Sequence, residues 1–333
     1  MTDGDGQAAM LRGRLHTLLG SSCGAADFTP LLDDAKKSIG ADHSVTLLIE
    51  AARQQKLSYG RPVGASAAEW ARLRERAERS LAAEDKTLLA IRSHQIRFLR
   101  LRSGPGDLDE VIGLRRAEVA TRAGQFPDHD NLLGIARSDL AVALIDRART
   151  AGRCAGQPGD PAADLAEASD LIDHEVERRS RLYSQESSLV QATRLVRCEV
   201  LVGQAERAGE DERQRCAEEA LALTGPLVGY YWAGGGRSFG LLKSLLLRAE
   251  SLALIRGAAD GARVARLACG ISGLVSDIID RGWPLFVLAR IQLPLGRQDA
   301  LRTAAKALRA RDPIFPANSC RILEVREFIG SLS

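Results

Sequence analysis

The sequence has few aromatic residues and almost no lysine. Only 4% of its 333 residues are aromatic, and the basic residues are 40 arginines against 6 lysines in a background rich in alanine and glycine. We interpret the arginine excess first as the codon usage of a high-GC genome. With 45% hydrophobic and 27% charged residues, the chain can build one large core or two ordinary ones. This composition excludes a disordered tail and a collagenous chain.

Signals for export and for membrane insertion are also lacking. The first ten residues, MTDGDGQAAM, are acidic and polar, whereas a secretory signal begins with a positive region and continues with an apolar one. The most apolar segment, Phe239–Ile255, contains three charged residues and is too short to cross a bilayer. We therefore expect a cytoplasmic protein without a membrane segment.

The cysteines and histidines show no metal-ligand spacing. The six cysteines lie at positions 23, 154, 198, 216, 269 and 320, without a CxxC pair. This scatter predicts reduced thiols that pack as small apolar residues. The five histidines are dispersed, and His174-Glu175 lacks the second histidine of an HExxH helix. We predict no metal and no cofactor.

Motifs of catalysis and of nucleic-acid binding are missing as well. The sequence contains no GxxxxGK[ST] and no GxSxG, and its glycine triplet, Gly234–Gly236, follows an aromatic cluster and not an apolar strand. A net charge of +3 is weak for a nucleic-acid domain. We assign no catalytic residue, lean against an enzyme, and consider nucleic acid an unlikely partner.

Apolar residues recur at spacings of three and four, and alternating strand patterns are nearly absent. A clear stripe of this kind runs from Leu132 through Ile135 and Leu140 to Ile145. Glycine- and proline-rich segments interrupt the chain at roughly regular intervals. The pattern predicts an all-α protein made of helical hairpins in series.

An internal repeat with a period of about 43 residues supports this architecture. Similar segments begin with an Asp-His pair at Asp42 and at Asp128, 86 residues apart, and a middle copy begins at Asp85. Degraded copies begin at Ser188 and near Phe239. We expect Asp42 and Asp128 to cap helices by accepting hydrogen bonds from backbone amides, a more ordinary role than catalysis.

Each of these repeat starts is followed by a helix, a glycine-containing turn and an alanine-rich helix. The pattern resembles the longer tetratricopeptide repeats of the kinesin-light-chain type, which are common in actinobacterial proteins. The segment from Leu285 to Pro313 resembles an ordinary tetratricopeptide unit. The matching positions are Leu288, Ala289, Gly296, Ala300, Ala307 and Pro313. The resemblance covers about residues 40 to 315.

The resemblance implies a right-handed superhelical array of antiparallel helical hairpins, a tetratricopeptide-like α-solenoid. We place it at residues 40–316, with a helical cap at 1–39, a capping helix at 317–333 and a hinge near 225–237. The middle copy has Ile96-Arg97 where a Leu-Ala pair is expected, so a HEAT-like solenoid stays open. Dimerisation through the last helix is the alternative to capping.

Basic residues on the first helices are one group of candidate binding residues. They are Arg53, His94, Arg97, Arg137 and Arg194. First helices line the concave surface in the family resembled, where these side chains would hold carboxylates of an acidic peptide. The alternative is a solvated face with salt bridges inside each helix.

Three clustered aromatic residues, Tyr230, Tyr231 and Trp232, form the second candidate group. They precede the glycine triplet, and exposed rings at this place would suit a contact site for a partner. The alternative interpretation is that the three rings form a hydrophobic plug between two halves of the solenoid.

The function predicted is therefore an adaptor or regulatory scaffold that binds a protein or peptide in an arginine- and aromatic-lined groove. Two alternatives remain: a helical enzyme or small-molecule sensor with a pocket near 230–237, and nucleic-acid binding by a basic face.

Overall fold

The protein is helical throughout the part of the chain described by the computed structural model. That part comprises residues 3–21, 24–58, 62–125, 127–128, 130–151, 159–275 and 278–332. It contains fifteen α-helices, one short 3-10 helix at Ala25–Asp27 and no β-strand. The prediction of an all-α fold is confirmed.

The helices belong to two compact units, which we call unit 1 (residues 1–102) and unit 2 (residues 103–333). Unit 1 contains α1 (Asp3–Leu19), α2 (Phe28–Ser38), α3 (Ser44–Ser58), α4 (Val63–Ser80) and α5 (Lys86–Arg102). Unit 2 contains α6 (Asp107–Gln125), α7 (Asn131–Thr150), α8 (Pro161–Leu182), α9 (Ser188–Ala205), α10 (Glu210–Ala233), α11 (Phe239–Ile255), α12 (Ala258–Ser272), α13 (Trp283–Gln292), α14 (Arg297–Arg311) and α15 (Cys320–Ser331).

Within each unit, consecutive helices pack against each other, and alternate helices form a second set of contacts. In unit 1, α3 contacts both α1 and α5. In unit 2, α7 contacts α9, α9 contacts α11, and α11 contacts α13. We call these four helices the inner row of unit 2, and α8, α10, α12 and α14 the outer row. The contacts show a sequential array of helical hairpins, as the repeat predicts.

Several predicted repeat starts coincide with helix starts. Helix α9 begins at Ser188 and α11 at Phe239, and Asp85 precedes α5 with its carboxylate 2.7 Å from the amide of Thr87. The last predicted unit corresponds to α13 and α14, and α15 follows it. The proposed hinge region overlaps the end of α10. The division into cap, repeat domain and cap stays a prediction.

The predicted cap of α3 is wrong by one residue. His43 Nδ1, and not Asp42, accepts the hydrogen bond from the amide of Val45 at 3.2 Å. The carboxylate of Asp42 lies instead 3.3 Å from Arg76 Nε on α4. An ion pair with the second helix of the hairpin has replaced the local cap.

The predicted cap of α7 is wrong by two residues. Asp130 accepts hydrogen bonds from the amides of Leu132 and Leu133 at 2.7 and 3.1 Å. Asp128 is drawn away because Arg137 Nη1 lies 2.6 Å from its carboxylate.

This cap provides a first test. Asp130→Ala is expected to lower the free energy of unfolding by about 1 kcal/mol, because two amides at the start of α7 lose their acceptor. Asp130→Asn keeps a side-chain oxygen and should lose less than half of that. Urea denaturation of both variants measures the difference, and equal losses would contradict the capping role.

The apolar stripe of α7 is shifted from its predicted position. Leu132 and Ile135 are exposed, whereas Leu133, Leu140 and Ile145 are buried. Because both Leu132 and Leu133 fit a helical spacing with Leu140, the sequence did not distinguish the two faces at the start of the helix.

One cysteine contradicts the prediction of six reduced thiols, because Cys320 is disulfide-bonded. Cys198, Cys216 and Cys269 are free, and Cys23 and Cys154 lie outside the described residues. No helix in the described ranges is long and apolar enough to span a membrane.

The segment that opens unit 2 contacts the helix that ends it. The carbonyl of Ser103 accepts a hydrogen bond of 2.8 Å from the amide of Cys320, the first residue of α15. Ser103 is buried and has a φ of 46°, in the left-handed region that residues with a side chain rarely adopt. This hydrogen bond joins the two sequence ends of unit 2.

Candidate functional site

Two of the predicted arginines are bonded inside unit 2. Arg137 Nη1 lies 2.6 Å from Asp128 and 3.3 Å from Glu175, and the hydrogen bond from Arg137 lowers the pKa of Asp128. Arg194 donates a hydrogen bond to the side chain of Gln185. Both guanidinium groups therefore have internal partners.

Arg137 belongs to a buried cluster around Glu175. Glu175 is fully buried on α8, with Arg178 Nη2 at 2.8 Å and Arg179 Nε at 3.4 Å from its carboxylate. Gly134 of α7 makes room for this cluster, since a Cβ there would lie 2.1 Å from Arg178 Nη2 and 2.5 Å from Glu175 Oε2. The close packing of α7 on α8 and the buried ion pairs thus depend on the same glycine.

A second set of ion pairs connects the helices of the inner row, and the sequence analysis missed it. The pairs are Lys243–Glu199 at 2.6 Å, Arg290–Glu206 at 2.6 Å, Arg290–Glu250 at 3.7 Å and Arg149–Glu250 at 3.8 Å. Burial raises the pKa of Glu250. The sequence does show single charged residues in otherwise apolar first helices. It does not show which of these residues form ion pairs with one another. The charges of these side chains compensate one another.

The predicted residues of α5 lie in unit 1. The ring of His94 stacks on the buried indole of Trp70, with ring centroids 4.6 Å apart. Burial, and after it the charge of Arg97, lowers the pKa of His94. Arg97 itself is exposed on α5. His94 therefore contributes packing to unit 1.

Arg53, the remaining predicted basic residue, lines a cleft between α3 and α4 of about 340 Å³. The lining residues are Glu50, Arg53, Gln54, Leu57, Glu69, Arg72, Leu73 and Arg76. Of these, Arg72 lies on the second helix of a hairpin, so the prediction of basic residues on first helices does not include it.

The predicted aromatic cluster divides into a partly buried and an exposed part. Tyr231 packs against two hydrophobic clusters, one formed mainly by α9 and α10 and the other by α11, α12 and α13, and a Cβ on Gly240 would lie 2.4 Å from its ring. Tyr230 contacts Tyr231 edge-on, with ring centroids 5.1 Å apart. Trp232, in contrast, is 57% exposed. Burial raises the pKa of Tyr231.

Other exposed apolar residues lie at the same end of the hairpins as Trp232, where outer-row helices finish and inner-row helices begin. Phe239 is 44% exposed at the start of α11, and Leu274 is 59% exposed shortly after α12. Trp283 begins α13 and is partly buried, and its ring centroid lies 5.9 Å from that of Phe239. We call Trp232, Phe239, Leu274 and Trp283 the aromatic edge. Exposed apolar groups gathered in this way are typical of interaction sites.

Two arginines accompany the aromatic edge. Arg237 precedes Phe239 by two residues, and Arg281 precedes Trp283 by two residues. Both are exposed, and neither forms an ion pair with the described residues. Asp280, beside Arg281 in sequence, is buried and pairs with Arg311 at 2.9 Å.

Candidates for chemistry are sparse in the described ranges. Burial raises the pKa of Cys198 to about 12 and that of Cys269 to about 11, so these thiols hold little thiolate near neutral pH. The described residues contain no group of three or more His, Cys, Asp or Glu side chains placed to hold a metal ion.

The fold defines a protein built from repeated helical hairpins. No family model and no curated protein matches the sequence. Among solved structures, the chain is similar to a putative kinesin light chain from Podosopora anserina with nearly identical TPR-like repeats. A variant form of that protein is 15% identical with a TM-score of 0.42, over 67% of this chain and 94% of that one. A second structure of it is 16% identical with a TM-score of 0.41, over 68% and 97%. This likeness concerns the fold alone.

Proposed function

We propose that the protein is a scaffold that binds an acidic segment of a protein partner at the aromatic edge, without catalysis. The observation that carries this proposal is the contact between the exposed ring of Phe239 and the partly buried ring of Trp283. Each ring lies two residues after an arginine that forms no ion pair with the described residues.

The chemistry of the aromatic edge suits such a segment. Exposed tryptophan and phenylalanine bury a large area at a low cost in side-chain entropy, and they dominate many protein interfaces. Arg237 and Arg281 add two guanidinium groups, which bind carboxylates through paired hydrogen bonds. An acidic segment with an apolar side chain complements both features.

The repeat sets the spacing of the two arginines. The sequences Arg237-Ser-Phe239 and Arg281-Gly-Trp283 are 44 residues apart, one at the start of each of two adjacent inner-row helices. Neighbouring helices lie about 10 Å apart, and an extended chain advances about 3.3 Å per residue. The partner segment is therefore expected to carry its acidic residues about three positions apart.

The proposed binding surface includes fewer of the predicted residues than the groove expected from the sequence. From the predicted aromatic cluster, the proposed surface includes only Trp232, because Tyr231 packs against the hydrophobic clusters of unit 2. Arg137 and Arg194 are engaged internally. The small-molecule alternative near 230–237 gains no support from the cleft of about 340 Å³, which lies in unit 1. Cytoplasmic location and a homodimer stay predictions.

A photocrosslinking experiment tests the proposal. Benzoylphenylalanine placed at Leu274 of the full chain is expected to crosslink a specific protein in a lysate of the native organism. The matched control places it at Leu267, which is 50% exposed on α12 outside the aromatic edge. Adding Trp232→Ala and Phe239→Ala to the Leu274 probe should reduce the crosslinked product at least tenfold.

The crosslinked peptide, identified by mass spectrometry, should contain acidic residues around an apolar one. The same product from the Leu267 probe, or an unchanged yield from the variant without the two rings, would overturn the proposal.

A further inference from the structure

The cleft between α3 and α4 in unit 1 has a regular lining. Each helix contributes four residues at positions i, i+3, i+4 and i+7, starting at Glu50 on α3 and at Glu69 on α4. This spacing places each set on one face of its helix. The two faces line an open cleft of about 340 Å³, at the lower end of the range for small-molecule sites.

Both ends of the cleft are held by side-chain contacts. At one end, Arg76 donates to the carboxylate of Glu50, with Arg76 Nη1 and Glu50 Oε1 3.4 Å apart. Near the other end, Trp70 Nε1 donates to Ser58 Oγ at 3.2 Å. These contacts fix the separation of the two helices, so the space between them is built into the hairpin.

The middle of the cleft contains two arginines without an ion pair. Arg53 and Arg72 form no hydrogen bond or ion pair with the described residues, and Arg53 Nε is buried without an acceptor. A buried guanidinium nitrogen that lacks an acceptor is costly. A bound anion would supply the acceptor.

The rest of the lining limits the kind of anion. Leu57 and Leu73 provide apolar contacts, and Leu73 is buried. Glu50 and Glu69 would repel a polyphosphate or another highly charged ligand. The geometry points to a binding site for a small monocarboxylate with a short apolar chain, its carboxylate between Arg53 and Arg72 and its chain against the two leucines. This site is independent of the aromatic edge in unit 2.

Ligand binding to the full chain tests the assignment, with butyrate, hexanoate and octanoate as probes and hexanamide and inorganic phosphate as comparators. Isothermal titration calorimetry should show hexanoate binding at least tenfold more tightly than hexanamide or phosphate. Arg53→Gln and Arg72→Gln should each weaken hexanoate binding at least tenfold. Arg263→Gln, on the exposed surface of α12, should leave it unchanged.

The two cleft variants are expected to fold, because neither arginine has a partner among the described residues to lose, and an unchanged circular dichroism spectrum checks this. Three results would overturn the assignment: equal affinity for hexanoate and hexanamide, equal affinity for hexanoate and phosphate, or unchanged binding in both variants. Binding only of a carboxylate inside a peptide, such as acetyl-Leu-Glu amide, would also overturn it.

Discussion

Replacing Glu175 by alanine is expected to destabilise unit 2 by about 3–5 kcal/mol. Glu175 is fully buried, and the side chains of Arg178 and Arg179 beside it are only 7% and 3% exposed. Without the carboxylate, two buried positive charges and that of Arg137 lose their common partner. Removing one partner of a buried ion pair costs far more free energy of unfolding than the intact pair contributes, because the remaining charge stays buried without a partner.

Urea denaturation followed by far-UV circular dichroism measures this loss. The matched control is Glu177→Ala on the same helix, where Glu177 pairs with Arg181 and both side chains are about 70% exposed. That pair is worth roughly 0–1 kcal/mol, because water solvates both partners. A loss below about 1 kcal/mol for Glu175→Ala would mean that the cluster is hydrated in solution.

Adding one methyl group at Gly261 is expected to destabilise unit 2 by about 1–3 kcal/mol. A Cβ at Gly261 would lie 2.6 Å from the carbonyl oxygen of Ala249 and 2.8 Å from the Cβ of Ala253, both on α11. Backbone atoms of a buried helix cannot move aside as a flexible side chain does. Helices α11 and α12 would have to separate, which disturbs the packing of Ala262 and Ala265.

Gly270 on the same helix provides a control, because its replacement by alanine is expected to change the stability in the opposite direction. It is exposed, and a Cβ there would meet no atom within 4 Å. Since alanine favours a helix over glycine by about 1 kcal/mol, Gly270→Ala should stabilise the protein slightly. Thermal unfolding of both variants should therefore shift in opposite directions. Stabilisation by both substitutions would show that α11 and α12 pack less closely than the structure indicates.

The sequence predicted the helical elements better than the contacts between them. The start of α9 at Ser188 could be predicted because a serine cap and an apolar period are local signals. The caps at Asp42 and Asp128 were wrong because Arg76 and Arg137 attract these carboxylates. Whether an aspartate caps a helix or pairs with an arginine depends on side chains that folding brings close.

The same limit applies to the candidate sites. The sequence selected Trp232 and Arg53, and the structure leaves Trp232 exposed and places Arg53 in the cleft of unit 1. It missed Trp283 and Phe239 as a contacting pair, because 44 residues separate them and only the repeat places them side by side. Arg72 was missed because only the packing of α3 on α4 brings its side chain to the cleft.

The hydrogen bond between Ser103 and Cys320 has a consequence for how unit 2 loses its structure. A linear array of repeats frays from its two termini, since each terminal hairpin is held from one side only. In unit 2 the segment at Ser103 is hydrogen-bonded to the start of α15. Unfolding of either end therefore breaks a hydrogen bond that stabilises the other end. We therefore expect amide hydrogens of α15 and of residues 103–107 to exchange with solvent together, as one cooperative opening.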